Sequence, residues 1–565
     1  MVILGLNISG FHSSACLVID GEIKCAVTEE RITRIKQDKS FPINAIKYCC
    51  AVAKIDPGSI TDIYIGWNPA KYMYKSDGAL NEALKERGKL AYLSLNELSA
   101  LNTEQTISID QQIRTLNSKW RIHYVDHHFA HLSNSFLMSN FESSDFIVAD
   151  GFGENTSGCV GNVNLNQIDV LNNFNSPHSL GSFYSTFTEY LGFKPNGDEW
   201  KVMALASLGN PDVYYEQIKD LVRVSGINFE LDLSYFEHYL FFTENYYSEK
   251  LVQKFGETIK RQEELTQHHY DLVASVQKVS EETVLELLCN LHGKTKSKNI
   301  VASGGFFMNS VLNGKIQSET PYENIYIGGS PDDSGISIGS ALYGLVYGKN
   351  HEKSFKRLDH NYFGRVYNDN EIIDELKKRK IQYNIVDNIE EYVAAKIRSK
   401  NIVGWFQGGS EFGQRALGNR SILADPTCPE IKDIVNSCIK YREGFRPFAP
   451  AVLEEKQQDY FKISEDESSF FMEKVFQFKD KYRDSLPGVV HFDGSGRLQT
   501  VSKNANPKFY RLIVEFEKLS GHPIVLNTSF NINSMPLVES PADAINCFYQ
   551  SGIDFLVMNN IVVCK

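Results

Sequence analysis

Three times in the first 310 residues, an apolar run of strand length stops at a turn of small or glycine residues. Val2–Asn7 runs into Asn7-Ile8-Ser9, Phe146–Ala149 into Asp150-Gly151-Phe152-Gly153, and Asn299–Ala302 into Ser303-Gly304-Gly305. Such turns let backbone amides approach an oxyanion closely. One of them alone is ordinary turn chemistry. Three in succession, with helical patterns between them, predict an α/β architecture whose strand ends carry the chemistry.

The intervening patterns agree with that architecture. Ala15–Ile19 and Glu22–Thr28 flank Asp20-Gly21, a strong hairpin signal. Asn44–Lys54 reads as a helix, Asp62–Gly66 as a strand, Arg121–Val125 as a strand leading into a His-rich helix, and residues 259–295 as a long helical pattern. Region 68–120 is polar and reads as a solvated insertion. Near residues 350–370 the sequence becomes charged and aperiodic, which predicts a domain boundary. A second α/β unit follows, with strands such as Ile402–Phe406 and Ile524–Asn527. No short-period repeat or low-complexity tract is visible.

Composition narrows the function classes. The formal charge of −12 argues against an electrostatic grip on nucleic acid over the whole surface. No apolar run approaches the roughly 18–20 residues of a membrane span. The start, MVILGLNISG, lacks a basic signal-peptide region. The ten cysteines are scattered without a CxxC pair, which disfavours a zinc ribbon and predicts a reduced, cytoplasmic protein. A homodimer is the default assembly.

The sharpest local signal is Asp126-His127-His128-Phe129-Ala130-His131. His127 and His131 are four residues apart, so a helix presents both imidazoles on one face, within reach of one metal ion. Two histidines do not complete a site. Asp150 and Asp333, each in a small-residue turn, are the candidate carboxylates. Position 128 is His, so the zinc-protease pattern HExxH is absent. His12 follows the first small-residue turn and is the candidate base for accepting a proton from a hydroxyl.

In the second half, cations sit among glycine, alanine and proline. Arg415 and Arg420 lie in EFGQRALGNRS, Lys440, Arg442 and Arg446 in IKYREGFRPFAP, and Arg497 beside Asp493-Gly494-Ser495. Asn527 and Ser529 follow in LNTSFN. Small neighbours let a guanidinium close on an anion, which predicts a basic pocket for phosphate groups.

These segments together resemble the ATP-dependent O-carbamoyltransferases of antibiotic and nodulation-factor biosynthesis. The resemblance spans nearly the whole chain: GLNISGFHSSA, EERITRIK, DHHFAH, ADGFGE, LGFKPNGDEWKVMALA, SGGFFMNSVLNGKI, PDDSGISIGSAL, EFGQRALGNRSILADP, IKYREGFRPFAPAVL, HFDGSGRLQTV and LNTSFN. It implies an actin-like ATPase (ASKHA) domain over 1–355, similar to the universal tRNA threonylcarbamoyltransferase, and a YrdC-like α/β domain over 365–565. It implies that carbamoyl phosphate and ATP form carbamoyl-adenylate in the C-terminal domain, and that the carbamoyl group moves to a hydroxyl of a small acceptor in the N-terminal domain. It implies a divalent metal, iron(II), on His127, His131, Asp150 and Asp333, with Mg2+ accompanying ATP. It places Asn7, Ser9, Gly151, Gly153, Lys201, Gly304, Gly305 and Asn309 around a nucleotide, and Arg415, Arg420, Lys440, Arg442, Arg446, Arg497, Asn527 and Ser529 around carbamoyl phosphate and ATP.

The competing readings are a tRNA threonylcarbamoyl-type enzyme, a hydrogenase-maturation carbamoyltransferase, a sugar kinase and a non-catalytic nucleotide- and metal-binding scaffold. The net charge and EFGQRALGNRS weigh against the first, and the missing CxxC pairs against the second. A kinase leaves the second half unexplained. A scaffold leaves the Arg, Lys and His side chains in small-residue turns unexplained. The identity of the acceptor stays open, with loops such as 68–120 and 210–258 the segments expected to shape its pocket.

Overall fold

Apolar residues in the strand patterns bury on whichever face the pleat presents, and the resulting sheets organise two units. The structure, a computed structural model, describes all residues except 69–120, 241–242, 260–262 and 442–445. The insertion expected over 68–120 therefore lies, beyond Asn68, outside the described residues, as does Arg442. One unit comprises Met1–Glu29 and Lys39–Arg357, the other Glu30–Asp38 and Leu358–Lys565. The chain passes from one unit to the other between Arg357 and Leu358, and residues 30–38 make an earlier excursion that no sequence signal announces.

Among the described residues, the first unit holds two five-stranded sheets. One contains β1 (Val2–Asn7), β2 (Ser14–Ile19), β3 (Glu22–Thr28), β4 (Asp62–Ile65) and β5 (Arg121–Tyr124) in the order β3-β2-β1-β4-β5. The second contains β6 (Ser143–Ala149), β7 (Thr156–Asn164), β8 (Ile168–Asn175), β11 (Asn299–Ser303) and β12 (Asn324–Ile327) in the order β12-β11-β6-β7-β8. A short hairpin, β9 (Val222–Ser225) and β10 (Asn228–Leu231), stands apart. In each sheet a central strand, β1 or β6, carries an antiparallel meander on one side and two parallel strands on the other. This duplicated topology agrees with the actin-like arrangement expected from the sequence. The two central strands end at equivalent places, β1 at Asn7 and β6 just before Asp150.

Local chemistry explains the details. Asp20 and Gly21 both have positive φ, as a two-residue hairpin turn matched to strand twist requires. The long helix starts at Gln267 rather than near 259, because Thr266 and His269 form a reciprocal capping box there. The helix His127–Phe136 is buried nearly all round and packs on the helix Ile336–Tyr343. The two come together at Gly339, where a Cβ would lie 1.8 Å from the Ala130 carbonyl oxygen. Only glycine permits that approach.

The second unit is built on one nine-stranded sheet. Its strands are β13 (Asn384–Ile385), β14 (Val403–Phe406), β15 (Arg420–Ala424), β16 (Ala449–Leu453), β17 (Lys474–Gln477), β18 (Ser495–Val501), β19 (Ile524–Ser529), β20 (Phe555–Met558) and β21 (Ile561–Cys564). Their order is β13-β21-β20-β14-β15-β19-β16-β18-β17. Alternate residues feed two cores: Val403, Trp405, Leu423, Val525 and Val557 one face, and Phe406, Ile422, Leu526, Leu556 and Met558 the other. With both faces covered, the strands read as continuous apolar runs.

Candidate functional site

The end of β6 and the helix His127–Phe136 bring four side chains together. His127 Nε2 lies 3.0 Å from Asp150 Oδ2, and His131 Nε2 lies 3.2 Å from the same oxygen. The two Nε2 atoms are 3.2 Å apart. Asp333 Oδ1 stands 3.4 Å from His131 Nε2 and 3.7 Å from His127 Nε2. The four candidate ligand atoms all fall within 4.8 Å of one another.

Each partner is aimed by its backbone. Asp150 uses its two oxygens differently. Oδ2 faces the imidazoles, while Oδ1 accepts from the backbone N–H of Gly151 at 2.8 Å and of Gly305 at 3.2 Å. The third glycine turn therefore closes on the end of β6. Gly304 has φ +96°, and a Cβ there would fall 2.2 Å from the Ala149 carbonyl oxygen. Asp333 begins a short turn ahead of the helix Ile336–Tyr343, and the same loop is tied to the histidine helix by Asn134 Nδ2, which donates to the Ser330 carbonyl at 2.7 Å.

Electrostatics favour a cation at this point. Burial opposes charge on Asp150, but the hydrogen bonds and charge of His127 and His131 outweigh it and hold the carboxyl well below its usual range. Burial likewise opposes charge on His131, yet Asp150 and Asp333 raise its pKa to about 10. Two carboxylates and two imidazoles with Nε2 turned inward fit a divalent ion, with the carboxylates balancing its charge.

Residues around the cluster fix its geometry. Glu154 Oε1 accepts from the N–H of His127 and of Asn68, both at 2.8 Å. This carboxylate satisfies a donor of the first helical turn, the end that favours negative charge. Trp67 meets the His127 ring edge-on, with centroids 5.3 Å apart. His128 turns the other way and pairs its Nδ1 with Thr156 Oγ1 at 2.9 Å. Glu154 lies inside the ADGFGE segment, but no local spacing links it to a helix that starts 27 residues earlier.

The loop between β1 and β2 adjoins the cluster. Asn7 Nδ2 donates to the carbonyls of Phe11 at 2.7 Å and His12 at 3.2 Å, and Asn7 Oδ1 accepts from the Ser9 N–H at 3.0 Å. His12 adopts φ 48° on this loop and is half-buried. Ser9 Oγ donates to Asp333 Oδ2 at 2.8 Å. The other residues expected around a nucleotide have definite partners. Asn309 caps its helix and exchanges hydrogen bonds with Gln277. Lys201 pairs with Asp198 at 3.2 Å beside the rings of Phe193 and Trp200. Gly151 has open space where a side chain would be, whereas a Cβ on Gly153 would meet the His128 ring.

In the second unit, the EFGQRALGNRS loop wraps around one carboxylate. Buried Glu411 uses Oε1 to accept from the N–H of Leu417, Asn419 and Arg420 at 2.7, 2.8 and 3.2 Å. Its Oε2 has no hydrogen-bond partner among the described residues. Asn527 Nδ2 donates to the Ala416 carbonyl at 3.1 Å and to Gln499 Oε1 at 2.7 Å, joining the loop of Arg415 to the strand of Arg497. Burial and then the Arg415 charge both disfavour the charge on Arg497. A guanidinium does not give up its proton in a protein, so Arg497 keeps its charge near that of Arg415.

Lys440 is buried, and its Nζ donates to Ser529 Oγ at 3.1 Å, to the Asn531 carbonyl at 3.0 Å and to Asn531 Oδ1 at 2.7 Å, as well as to the Ser529 carbonyl. Arg446 is half-buried just beyond the undescribed residues. Arg420 differs from its neighbours in the motif. It is 0% exposed. Its guanidinium donates to the carbonyls of Gln407, Gly408, Asn419 and Glu539 and lies 3.6 Å from the Phe406 ring centroid. That places Arg420 in the framework beneath the loop. His491, which opens the HFDGSGRLQTV segment but is not among the candidate site residues, lies near Arg497: its Nδ1 contacts Ser495 Oγ at 3.1 Å, and burial lowers its pKa to about 4.

Among the described residues, no helix is long and apolar enough to cross a membrane. Comparison with known proteins gives two family matches, the carbamoyltransferase N-terminus over residues 2–342 and the carbamoyltransferase C-terminus over residues 394–565. The uncharacterized protein sll1178 of Synechocystis sp. is 33% identical, covering 100% of this chain and 96% of that protein. The nodulation protein NolNO of Sinorhizobium fredii is 34% identical over 98% of this chain and 78% of its own length. MJ1051 of Methanocaldococcus jannaschii, also uncharacterized, is 30% identical over the whole of both chains.

Proposed function

This chain belongs to the carbamoyltransferase family, and we propose that it carries a carbamoyl group from carbamoyl phosphate, by way of an adenylate, to a hydroxyl of a small acceptor. The observation that carries this reading is the convergence of His127, His131, Asp150 and Asp333, with the His12 loop tied to it through Ser9. The small-residue turn at Asp150 and the cationic pair Arg415 and Arg497 in the second unit support the same reading.

The first half-reaction belongs to the second unit. Carbamoyl phosphate loses its phosphate with uptake of one water, the carbamate oxygen attacks the α-phosphorus of ATP, and pyrophosphate leaves. Arg415 and Arg497 neutralise the phosphate charge that gathers there. Lys440 acts through the loop it orders, holding Ser529 and Asn531 in one arrangement. Glu411 fixes the three amides that shape the Arg415 loop.

The second half-reaction belongs to the first unit. The acceptor oxygen attacks the carbamoyl carbonyl, AMP leaves, and His12 takes the hydroxyl proton. His127, His131, Asp150 and Asp333 would hold a divalent ion, iron(II) in our reading, whose chemistry when bound is to draw electron density from a carbonyl. Glu154 and Gly305 hold the ligands in place. The acceptor is a small hydroxylated compound, a sugar or natural product.

The test is pyrophosphate release from purified protein given ATP, with and without carbamoyl phosphate and with no acceptor present. Release that depends on carbamoyl phosphate is expected. Equal release in both arms, or none with folded, metal-loaded protein, would overturn the adenylate step.

A further inference from the structure

The EERITRIK segment, residues 29–36, has no role in the chemistry above, yet all of it but Glu29 lies in the stretch 30–38 that belongs to the second unit rather than the first. The segment is folded on itself. Glu30 Oε2 accepts from the Gln37 N–H at 2.7 Å, and Thr33 Oγ1 donates to Asp38 Oδ2 at 2.6 Å. From this small frame two arginines reach into the unit.

Arg34 takes the loop that follows Asn527 and Ser529. Its Nη1 donates to the Leu537 carbonyl at 2.7 Å, its Nη2 to the Pro536 carbonyl at 2.8 Å, and its Nε lies 3.6 Å from Asp543 Oδ1. Arg31 takes the loop that carries Arg415. Only 3% exposed, it donates through Nη2 to the Gly413 carbonyl. Its Nε and Nη1 are buried and have no hydrogen-bond partner among the described residues. Burial disfavours the Arg31 charge, while Glu30, then Glu411, which gathers the far end of the same loop, and Glu539 favour it. The loop is therefore held at Gly413 by a cation and at Leu417 to Arg420 by a carboxylate, with Arg415 between the two holds.

We propose that residues 30–38 are a working part of the C-terminal site, in which Arg31 is a positioning residue that holds Gly413 so that Arg415 meets the phosphate of the donor, while Arg34 holds the loop after LNTSFN. This rests on the anion-binding reading of the second unit given above. Two loops more than 100 residues apart in sequence are thus set by one nine-residue segment from near the start of the chain. A guanidinium buried with two nitrogens unpartnered is costly to keep for packing alone.

The experiment uses the full-length protein with Arg31→Met, Arg31→Lys and Arg34→Met. Amide hydrogen exchange over residues 411–420 reads the clamp directly. Pyrophosphate release at varied carbamoyl phosphate reads its effect on the site. We expect Arg31→Met to speed exchange in 411–420 by about tenfold, the loss of one buried hydrogen bond to a charged donor. Strands β20 and β21 should be unaffected. The KM for carbamoyl phosphate should rise by about tenfold or more with a smaller change in kcat. Arg31→Lys, which keeps a charge and one donor for Gly413, should recover part of both. Unchanged exchange in Arg31→Met would overturn the clamp. Faster exchange with an unchanged KM would overturn the positioning role. If wild-type protein releases no pyrophosphate, the adenylate reading falls, while exchange still decides whether the clamp exists. Should Arg31→Met fail to fold, Arg31→Lys decides by the same two readouts, with exchange in 411–420 and KM both expected between wild type and loss, and Arg34→Met is read by exchange over residues 530–540 and by KM.

Discussion

The hydroxyl of Ser9 donates to Asp333 Oδ2 at 2.8 Å, joining residues 324 positions apart in the chain. It links the loop that carries His12 to a carboxylate of the candidate metal cluster. A residue expected to serve phosphate is thereby also an outer support of the candidate metal cluster. Ser9→Ala should weaken metal binding by about 10–100-fold, the usual cost of losing an outer-shell hydrogen bond. Competition with a chelator for Fe(II) or Zn(II) measures this, and unchanged affinity would separate the loop from the cluster.

Asp150→Asn tests the cluster itself. The amide oxygen can still accept from Gly151 and Gly305, so the turn should keep its shape, but one negative ligand is gone. Metal content after purification should fall below one-tenth of wild type while the melting temperature of the metal-free protein changes little. Equal metal content would remove Asp150 from the ligand set.

Gly339→Ala should destabilise the protein by about 1–3 kcal/mol or more, as overpacking does. The added carbon would lie 1.8 Å from the Ala130 carbonyl oxygen, so the two helices must separate. That separation also moves Asp333 from the imidazoles. Denaturant unfolding and metal affinity should therefore fall together; a fully stable variant with intact affinity would show that the helices can shift freely.

Arg420 and Arg497 should respond differently to the same change. Arg420→Lys loses the fork that spans five carbonyls, those of Gln407, Gly408, Asn419, Glu539 and Arg365, and should cost about 3 kcal/mol of stability, from donors and acceptors left buried without partners. Arg497→Lys should leave stability closer to wild type and raise the carbamoyl phosphate KM. Thermal melts beside steady-state kinetics decide, and a stable Arg420→Lys with raised KM would reverse the assignment.

His491 supplies a pH test. Burial, with Arg497 and Lys432 nearby, lowers its pKa to about 4 against an ordinary value near 6.5. The folded state therefore prefers the neutral ring. The stability this contributes is present above pH 6.5 and is lost as pH falls toward 4. Histidine NMR should show one ring that stays neutral to about pH 4, absent in His491→Gln. A His491 signal titrating near 6.5 would mean the ring is solvated.

Local signals carried a large part of this in the sequence. The helix of His127 and His131, the Asp150 turn and the hairpin at Asp20-Gly21 each depend on residues within a few positions of one another. The structure gathers the four nominated histidines and aspartates within 4.8 Å. The supports were illegible for a physical reason. Glu154 meets a helix that begins before it, Glu411 folds back on amides six to nine residues on, and Arg31 reaches position 413. Arg415 and Arg420 share one motif, yet Arg420 opens β15 and points into the core, a direction set by sheet register rather than by neighbours in sequence. The doubled sheet order left no repeat in the sequence because it constrains only where strands lie, not which apolar residues fill them.

The excursion of residues 30–38 sets an order of events during synthesis. Those residues leave the ribosome more than 300 residues before the rest of their unit begins at Leu358. At ~5–20 residues per second, Arg31 and Arg34 wait on the order of tens of seconds for their carbonyl partners. The sequence of the first unit is thus interrupted by a segment that belongs to the second. Dividing the gene between Arg357 and Leu358 would therefore give a C-terminal product that lacks nine of its own residues, and a second chain that carries them with nothing to hold.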